Sequence, residues 1–202
     1  MTQPSQRQRH SLWLMPEGVT RRRLTGILHE LSRRYRGPEF LPHVTLLGSL
    51  QIDRDILIKK SRRVAAALHP FTIKLKNVGM TRQYFRDLFV HAGPHETLHE
   101  AHWRASRILA VPADSAFMPH LSLLYGAHSE RLKERIAGEM RLPAQFRVRN
   151  LYLFETQGPV RSWHEVARFP LSRVGGKPNY REQTNAGSSR THQGEARLHR
   201  GL

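Results

Sequence analysis

Two hexapeptides, Pro42-His43-Val44-Thr45-Leu46-Leu47 and Pro119-His120-Leu121-Ser122-Leu123-Leu124, agree by residue class at every position, and each is soon followed by glycine, Gly48 and Gly126. In an extended strand, side chains i and i+2 share a face. His43 therefore travels with Thr45 and His120 with Ser122. The alternate residues Val44, Leu46, Leu121 and Leu123 turn to the other face, where helices can bury them. The leading prolines sit where a missing backbone N–H is tolerated, at a strand start. Each strand thus offers an imidazole and a hydroxyl to one open cleft. Histidine titrates near neutrality, so one ring can be neutral while the other is protonated. The neutral ring can take a proton from an attacking water and the charged ring can protonate a leaving oxygen. The two hydroxyls can donate to the non-bridging oxygens of a phosphoryl group, where transition-state charge gathers. That chemistry is hydrolysis or transfer at a phosphodiester, and it needs no metal, thiol or covalent intermediate. Which histidine is acid and which is base stays open at this level.

One such copy would mean little in a chain with 13 histidines; two copies with a leading proline are the signal. A third segment, Pro94-His95-Glu96-Thr97-Leu98-His99, resembles the repeat loosely and also fits the His-Glu-x-x-His pattern of zinc proteases. Glu96 stands where the repeat demands an apolar residue, and the segment continues with helical periodicity. A polar outer helix face is the favoured reading, and no metal site is expected.

The elements around the repeats alternate between strand and helix signals. Ser11–Met15 reads as a strand closed by Pro16, and Val19 to Tyr35 carries Leu24, Ile27, Leu28 and Leu31 at helical spacing. Pro42–Leu50 is a strand, and Asp53 can cap a helix running to about Leu68. Phe71–Lys76 and Tyr84–Val90 predict a hairpin, and Pro94 opens a helix to about Leu109. His120–Tyr125 is a strand and Ser129–Met140 a helix, followed by two strands at Gln145–Glu155 and Trp163–Leu171. Each half repeats a strand–helix–strand theme, which predicts an α+β domain with two related halves over residues 10–172. Residues 1–9 are polar and expected to be flexible, and 173–202, rich in Gly, Asn, Ser, Gln and Arg, are expected to be a disordered basic tail.

Composition limits the rest. The 202 residues hold 39% apolar side chains and no cysteine, which excludes a fibrous repeat, disulfides and a thiol nucleophile. No apolar run is long enough to span a membrane and no secretory signal is visible, so a cytoplasmic chain is expected. The 33 Lys and Arg against 16 Asp and Glu give +17, a field that draws in polyanions. Nucleic acid could meet the basic surface and tail.

With its two His-x-Thr/Ser-apolar motifs, the chain resembles the 2H phosphoesterase superfamily. The start Ser11-Leu-Trp-Leu-Met-Pro16, the His43 motif after the first helix and the closing Trp163-His-Glu-Val-Ala-Arg-Phe-Pro-Leu171 are most similar to its cyclic phosphodiesterase branch. The resemblance implies a bilobal fold, two pseudo-symmetric lobes of antiparallel sheet with outer helices around a central cleft. It implies His43 and His120 as the acid–base pair and Thr45 and Ser122 on the phosphate. The implied reaction is metal-independent opening of 2′,3′-cyclic nucleotides, or of ADP-ribose 1″,2″-cyclic phosphate, to a monoester that commonly carries a 2′-phosphate. No cofactor is implied, and a monomer is expected. RNA-end processing, by cyclic-phosphate hydrolysis or 2′–5′ joining, is the alternative reading; a non-catalytic nucleotide or RNA binder comes third. Tyr84, Arg86 and Tyr125, with Phe85, are candidates to hold the base and ribose, whereas Trp13 and Trp163 read as core.

Overall fold

A computed structural model of the chain describes residues 8–172. The expected tail over 173–202 and positions 1–7 of the N-terminal stretch lie outside the described residues. In chain order the elements are β1 (His10–Leu14), α1 (Gly18–Tyr35), β2 (Val44–Leu50), α2 (Arg54–Ala66) and β3 (Phe71–Met80). A 3-10 turn at Tyr84–Arg86 leads to β4 (Leu88–Gly93), α3 (His95–Leu109), β5 (His120–Leu124), α4 (Glu130–Glu139), β6 (Gln145–Val148), β7 (Asn150–Glu155) and β8 (His164–Pro170).

The strands form one antiparallel sheet in the order β6-β3-β4-β5-β2-β1-β7-β8. That order is symmetric about the seam between β5 and β2, the two motif strands. Outward from the seam each half adds the strand that precedes its motif, β4 or β1. Beyond these the halves exchange chain: β3 follows the first half's α2 yet flanks β4, and β7 follows the second half's α4 yet flanks β1. The helices cross over too. α1 joins β1 to β2 but packs against β5, and α3 joins β4 to β5 but packs against β2. Each lobe's connecting helix therefore covers the other lobe's motif strand, and the two lobes close over one core.

Local chemistry accounts for the elements. Leu24 and Leu28, one turn apart, bury the inner face of α1, and the helix ends where Arg36 turns into the left-handed region at φ 57°. The Asp53 carboxylate accepts from the backbone N–H groups of Asp55 and Ile56 at 3.0 and 3.1 Å, the capping the sequence predicts for α2. Val44, Leu46, Leu121 and Leu123 are buried in the main core, as the period-two reading requires. A second, smaller cluster of Trp13, Met15, Tyr152 and Phe154 lies on the other face of β1 and β7. These two strands are buried on both sides.

Two expectations are corrected. Tyr84–Arg86 is not strand: the chain makes a 3-10 turn there and β4 starts only at Leu88. Gln145–Glu155 is not one strand either. It breaks at Arg149 into β6, at one edge of the sheet beside β3, and β7, in the other half beside β1 and β8. Unbroken apolar alternation cannot reveal that a chain changes neighbours.

Candidate active site

The seam sets the geometry of the repeats. Val44 pairs with Leu121 across antiparallel β2 and β5. Continuing that register by one residue places His43 opposite Ser122 and Thr45 opposite His120. The two histidines are then diagonal neighbours on one face, about 7–8 Å apart at the backbone. His43, Thr45, His120 and Ser122 all line one cleft of about 630 Å³.

Both imidazoles are held the same way. The Nδ1–H of His43 donates to the Leu41 carbonyl at 2.7 Å, and that of His120 to the Met118 carbonyl at 2.9 Å. The residue between ring and carbonyl is proline each time, Pro42 and Pro119, whose fixed φ helps bend the preceding carbonyl toward the ring. A carbonyl only accepts, so Nδ1 keeps its proton and Nε2 is the nitrogen left to exchange one. Burial drives the His43 pKa down to about 4, against the Leu41 hydrogen bond and with a small addition from His120. His120 is also lowered, first by burial, against the Met118 carbonyl; Arg86 and His91 add charge repulsion.

The surroundings differ. Trp13 stacks flat on His43 at 3.6 Å between ring centroids and on Phe154 at 4.0 Å. Beside His120, Phe89 stands edge-on at 5.3 Å. Trp13 thus belongs to the cleft as well as to packing, and the partly exposed Trp163 lines it too. Only the contact with His43, invisible in the sequence, reveals this for Trp13.

Of the other predicted residues, Arg86 and Tyr125 line the cleft, whereas Tyr84 faces a neighbouring groove. Arg86 bonds Gln83 at 2.6 Å, and its Nε is buried without a hydrogen-bond partner among the described residues. The Arg86 guanidinium, lining the cleft with its charge beside His120, suits an anion. Burial pushes the Tyr125 phenol well above its ordinary pKa, with its hydroxyl beside that of Ser122. Ser122 donates to the Phe85 carbonyl at 3.0 Å, so a bound phosphoryl oxygen would have to compete for that proton.

The turn carrying Tyr84, Phe85 and Arg86 is anchored from beneath. Asp87, fully buried, accepts from Lys133 Nζ at 3.0 Å and from His128 Nδ1 at 2.5 Å. Burial alone would raise the Asp87 pKa, but these hydrogen bonds outweigh it and the carboxyl is held below its usual range. Lys133 also donates to the Thr81 carbonyl and His128 Nε2 to the Tyr35 carbonyl, tying α4 and α1 to the turn. Sequence reasoning missed this cluster; His128 and Lys133 lie 41 and 46 residues from Asp87, and no local spacing joins them to it.

The zinc-protease pattern resolves into a helix face. His95 and His99 lie at the start of α3, with ring centroids 6.2 Å apart. His102 is committed elsewhere: its Nδ1–H donates to the Leu46 carbonyl at 2.8 Å, and its Nε2 accepts from the Asp114 N–H at 3.0 Å.

Comparison with known proteins gives the family. Residues 16–159 match the 2′-5′ RNA ligase superfamily. The chain belongs to that family. It is thereby a 2H phosphoesterase, of a family of phosphodiester hydrolases. A cyclic phosphodiesterase of Arabidopsis thaliana is 26% identical over 62% of this chain and 69% of its own length. The fold is that of Escherichia coli LigT in apo form, with a TM-score of 0.58 and 19% identity over 84% of this chain and 100% of LigT. A protein of Thermus thermophilus superposes with a TM-score of 0.54 and 18% identity, over 81% of this chain and 97% of its own. The antiparallel architecture that the resemblance implies is thus the family's fold. No helix among the described residues is long and apolar enough to cross a membrane.

Proposed function

We propose that the protein hydrolyses 2′,3′-cyclic ribose phosphates to the 2′-monoester, with His43 as general base and His120 as general acid. The observation that carries this reading is the matched pair of Nδ1–carbonyl bonds, which leaves two Nε2 atoms to serve one cleft from diagonal positions on adjacent strands. His43, held near 4, is neutral at physiological pH and can take the proton of an attacking water. His120 lies nearer the surface. A bound phosphate, negatively charged beside it and beside Arg86, works against the burial, and the smaller repulsion from Arg86 and His91, that lower its pKa, and favours the protonated ring. That imidazolium gives its proton to the departing 3′ oxygen as water adds to phosphorus; atoms balance, and each histidine ends in its partner's starting state. Thr45, Ser122 and the Arg86 guanidinium, which line the cleft, would face the non-bridging oxygens. The name of the Arabidopsis relative and the LigT complex with 3′-AMP support a cyclic, nucleotide-sized substrate.

A panel of 2′,3′-cyclic mononucleotides and ADP-ribose 1″,2″-cyclic phosphate, with and without EDTA and with product read by phosphorus NMR, tests the proposal. Turnover to a 2′-monoester that chelator leaves unchanged is expected. No turnover of any cyclic phosphate, or loss of turnover with EDTA, would overturn it.

A further inference from the structure

Strand β5 and the stretch that follows it, Tyr125-Gly126-Ala127-His128, grip the Tyr84–Arg86 turn at successive residues. The Gly126 N–H donates to the Tyr84 carbonyl at 3.0 Å, and the Ser122 hydroxyl to the Phe85 carbonyl at 3.0 Å. His128 gives two bonds to the Asp87 carboxylate just after the turn, from its backbone N–H at 3.1 Å and from its ring Nδ1–H at 2.5 Å. Arg86 lies between these anchors, and its own carbonyl accepts from the Thr81 hydroxyl at 2.6 Å. Arg86 and Ser122 line the cleft, whereas Asp87, His128 and Lys133 do not.

Gly126 makes the room that His128 needs. Its φ is 149°, a conformation side chains rarely adopt, and a Cβ added there would stand 2.5 Å from Cε1 of the His128 ring and 2.9 Å from its Nδ1. The ring fills the space that the missing side chain leaves. Gly48, which follows the first motif, has no such duty: a Cβ there would meet Thr45 Cγ2 at 3.5 Å, an ordinary contact. Two glycines that look alike in sequence therefore differ, and only the second belongs to a clamp. His128 is also the member of the cluster whose loss strands no buried charge. Its side chain is 16% exposed, and Lys133 stays on Asp87 at 3.0 Å without it.

We infer that His128 is a positioning residue of the phosphodiester site: by holding Asp87 it fixes the turn that sets the Arg86 guanidinium against the bound phosphoryl group. The inference rests on the cyclic-phosphate reading of the cleft. His128 touches no reacting atom, and its effect on the reaction passes through Arg86. A guanidinium meets phosphoryl oxygens through N–H bonds of fixed direction, so a small shift of its backbone costs more than it would for a point charge such as an ammonium.

A double-mutant cycle on His128 and Arg86 tests the inference, with binding and turnover measured separately so that the two proposals fail separately. Binding is read as the affinity for adenosine 2′-phosphate by calorimetry, and turnover as kcat/KM on a 2′,3′-cyclic mononucleotide. His128→Leu should weaken both by about 10-fold in the parent chain. Once Arg86→Ala is in place, the same change should cost less than about twofold, the spread expected when no interaction is left to lose. His128→Asn offers a side-chain N–H close to the place of Nδ1 and should keep most of the parent values. Gly126→Ala leaves every member of the cluster present but crowds the ring. It should repeat the loss, again only while Arg86 is there, and it takes the place of His128→Leu in the cycle should that variant fail to fold. Equal losses with and without Arg86 would overturn the inference, as would an Arg86→Ala variant that binds and turns over like the parent. A loss in His128→Asn as large as that in His128→Leu would overturn it too. Absent turnover of the cyclic nucleotide, with the coupling in binding intact, would count against the hydrolase reading alone.

Discussion

The neighbourhoods of His43 and His120 begin from nearly the same six residues and end in different environments. His43 is 7% exposed and lies flat against Trp13, with its pKa held near 4. His120 is partly exposed, meets Phe89 only edge-on, and has the charge of Arg86 beside it. The lobes stiffen their sites by different means. The first relies on an aromatic stack of His43, Trp13 and Phe154; the second relies on a buried ionic cluster of Asp87, Lys133 and His128 beneath the Arg86 turn. The comparison teaches that a twofold repeat supplies two equivalent imidazoles, and that packing around each then makes them unequal. Unequal surroundings favour opposite protonation states in the two rings, which suits an acid–base pair.

The largest expected effect comes from removing either ring. His43→Ala and His120→Ala should each lower kcat on a cyclic nucleotide by about 10²–10⁴, and the double variant should lose little more than the worse single one. Fully additive losses would mean the rings do not serve one event.

Next comes the anchor of the second lobe. Asp87→Ala strands Lys133 in a dry interior and should cost about 3–5 kcal/mol of folding stability, a fall in Tm of roughly 10 °C. Combining Asp87→Leu with Lys133→Met should return part of it, since the buried ammonium is gone and only the partly exposed His128 loses its carboxylate partner. If the single variant melts with the parent, the cluster does not hold the turn.

How much of this was legible in sequence divides along the same line. The motif strands and their buried alternates were legible because period two is a local signal, and so was the Asp53 cap, whose partners Asp55 and Ile56 lie within one turn of it. Tyr84–Arg86 misled because aromatic, β-prone residues suit a strand as well as an exposed turn. The break at Arg149 was hidden because β6 and β7 are contiguous in sequence while lying in different halves of the sheet. The stack of Trp13 on His43 and the Asp87 cluster join residues far apart in the chain, and no spacing rule reaches that far.

A smaller difference is expected between the two hydroxyls. Thr45→Val should lower kcat/KM by about a hundredfold, the scale of losing one oxyanion donor. Ser122→Ala should cost nearer tenfold, because that hydroxyl proton already serves the Phe85 carbonyl. Equal losses would show that Ser122 turns to the phosphate.

The pH dependence of stability completes the contrast. The unfolded chain binds a proton at His43 near 6.5 and the folded chain only near 4, so stability falls as pH drops through that window. The expected loss is about 2 kcal/mol at pH 5, by urea denaturation. Asp87 is lowered from a carboxylate value, so its contribution is lost only at more acidic pH. His43→Leu should reduce the slope between about 6.5 and 5, leaving the part that the likewise lowered His120 and His10 contribute; an unchanged slope would place its origin elsewhere.

The division of labour itself is tested by changing the leaving group. Turnover by His43→Ala and His120→Ala is compared on a 2′,3′-cyclic nucleotide and on a nucleoside phosphodiester that releases nitrophenolate, which needs no protonation to depart. His120→Ala should recover most of its lost rate on the activated diester, while His43→Ala stays impaired on both. Recovery by His43→Ala instead would reverse the roles, and recovery by neither would contradict an acid–base pair acting on one phosphorus.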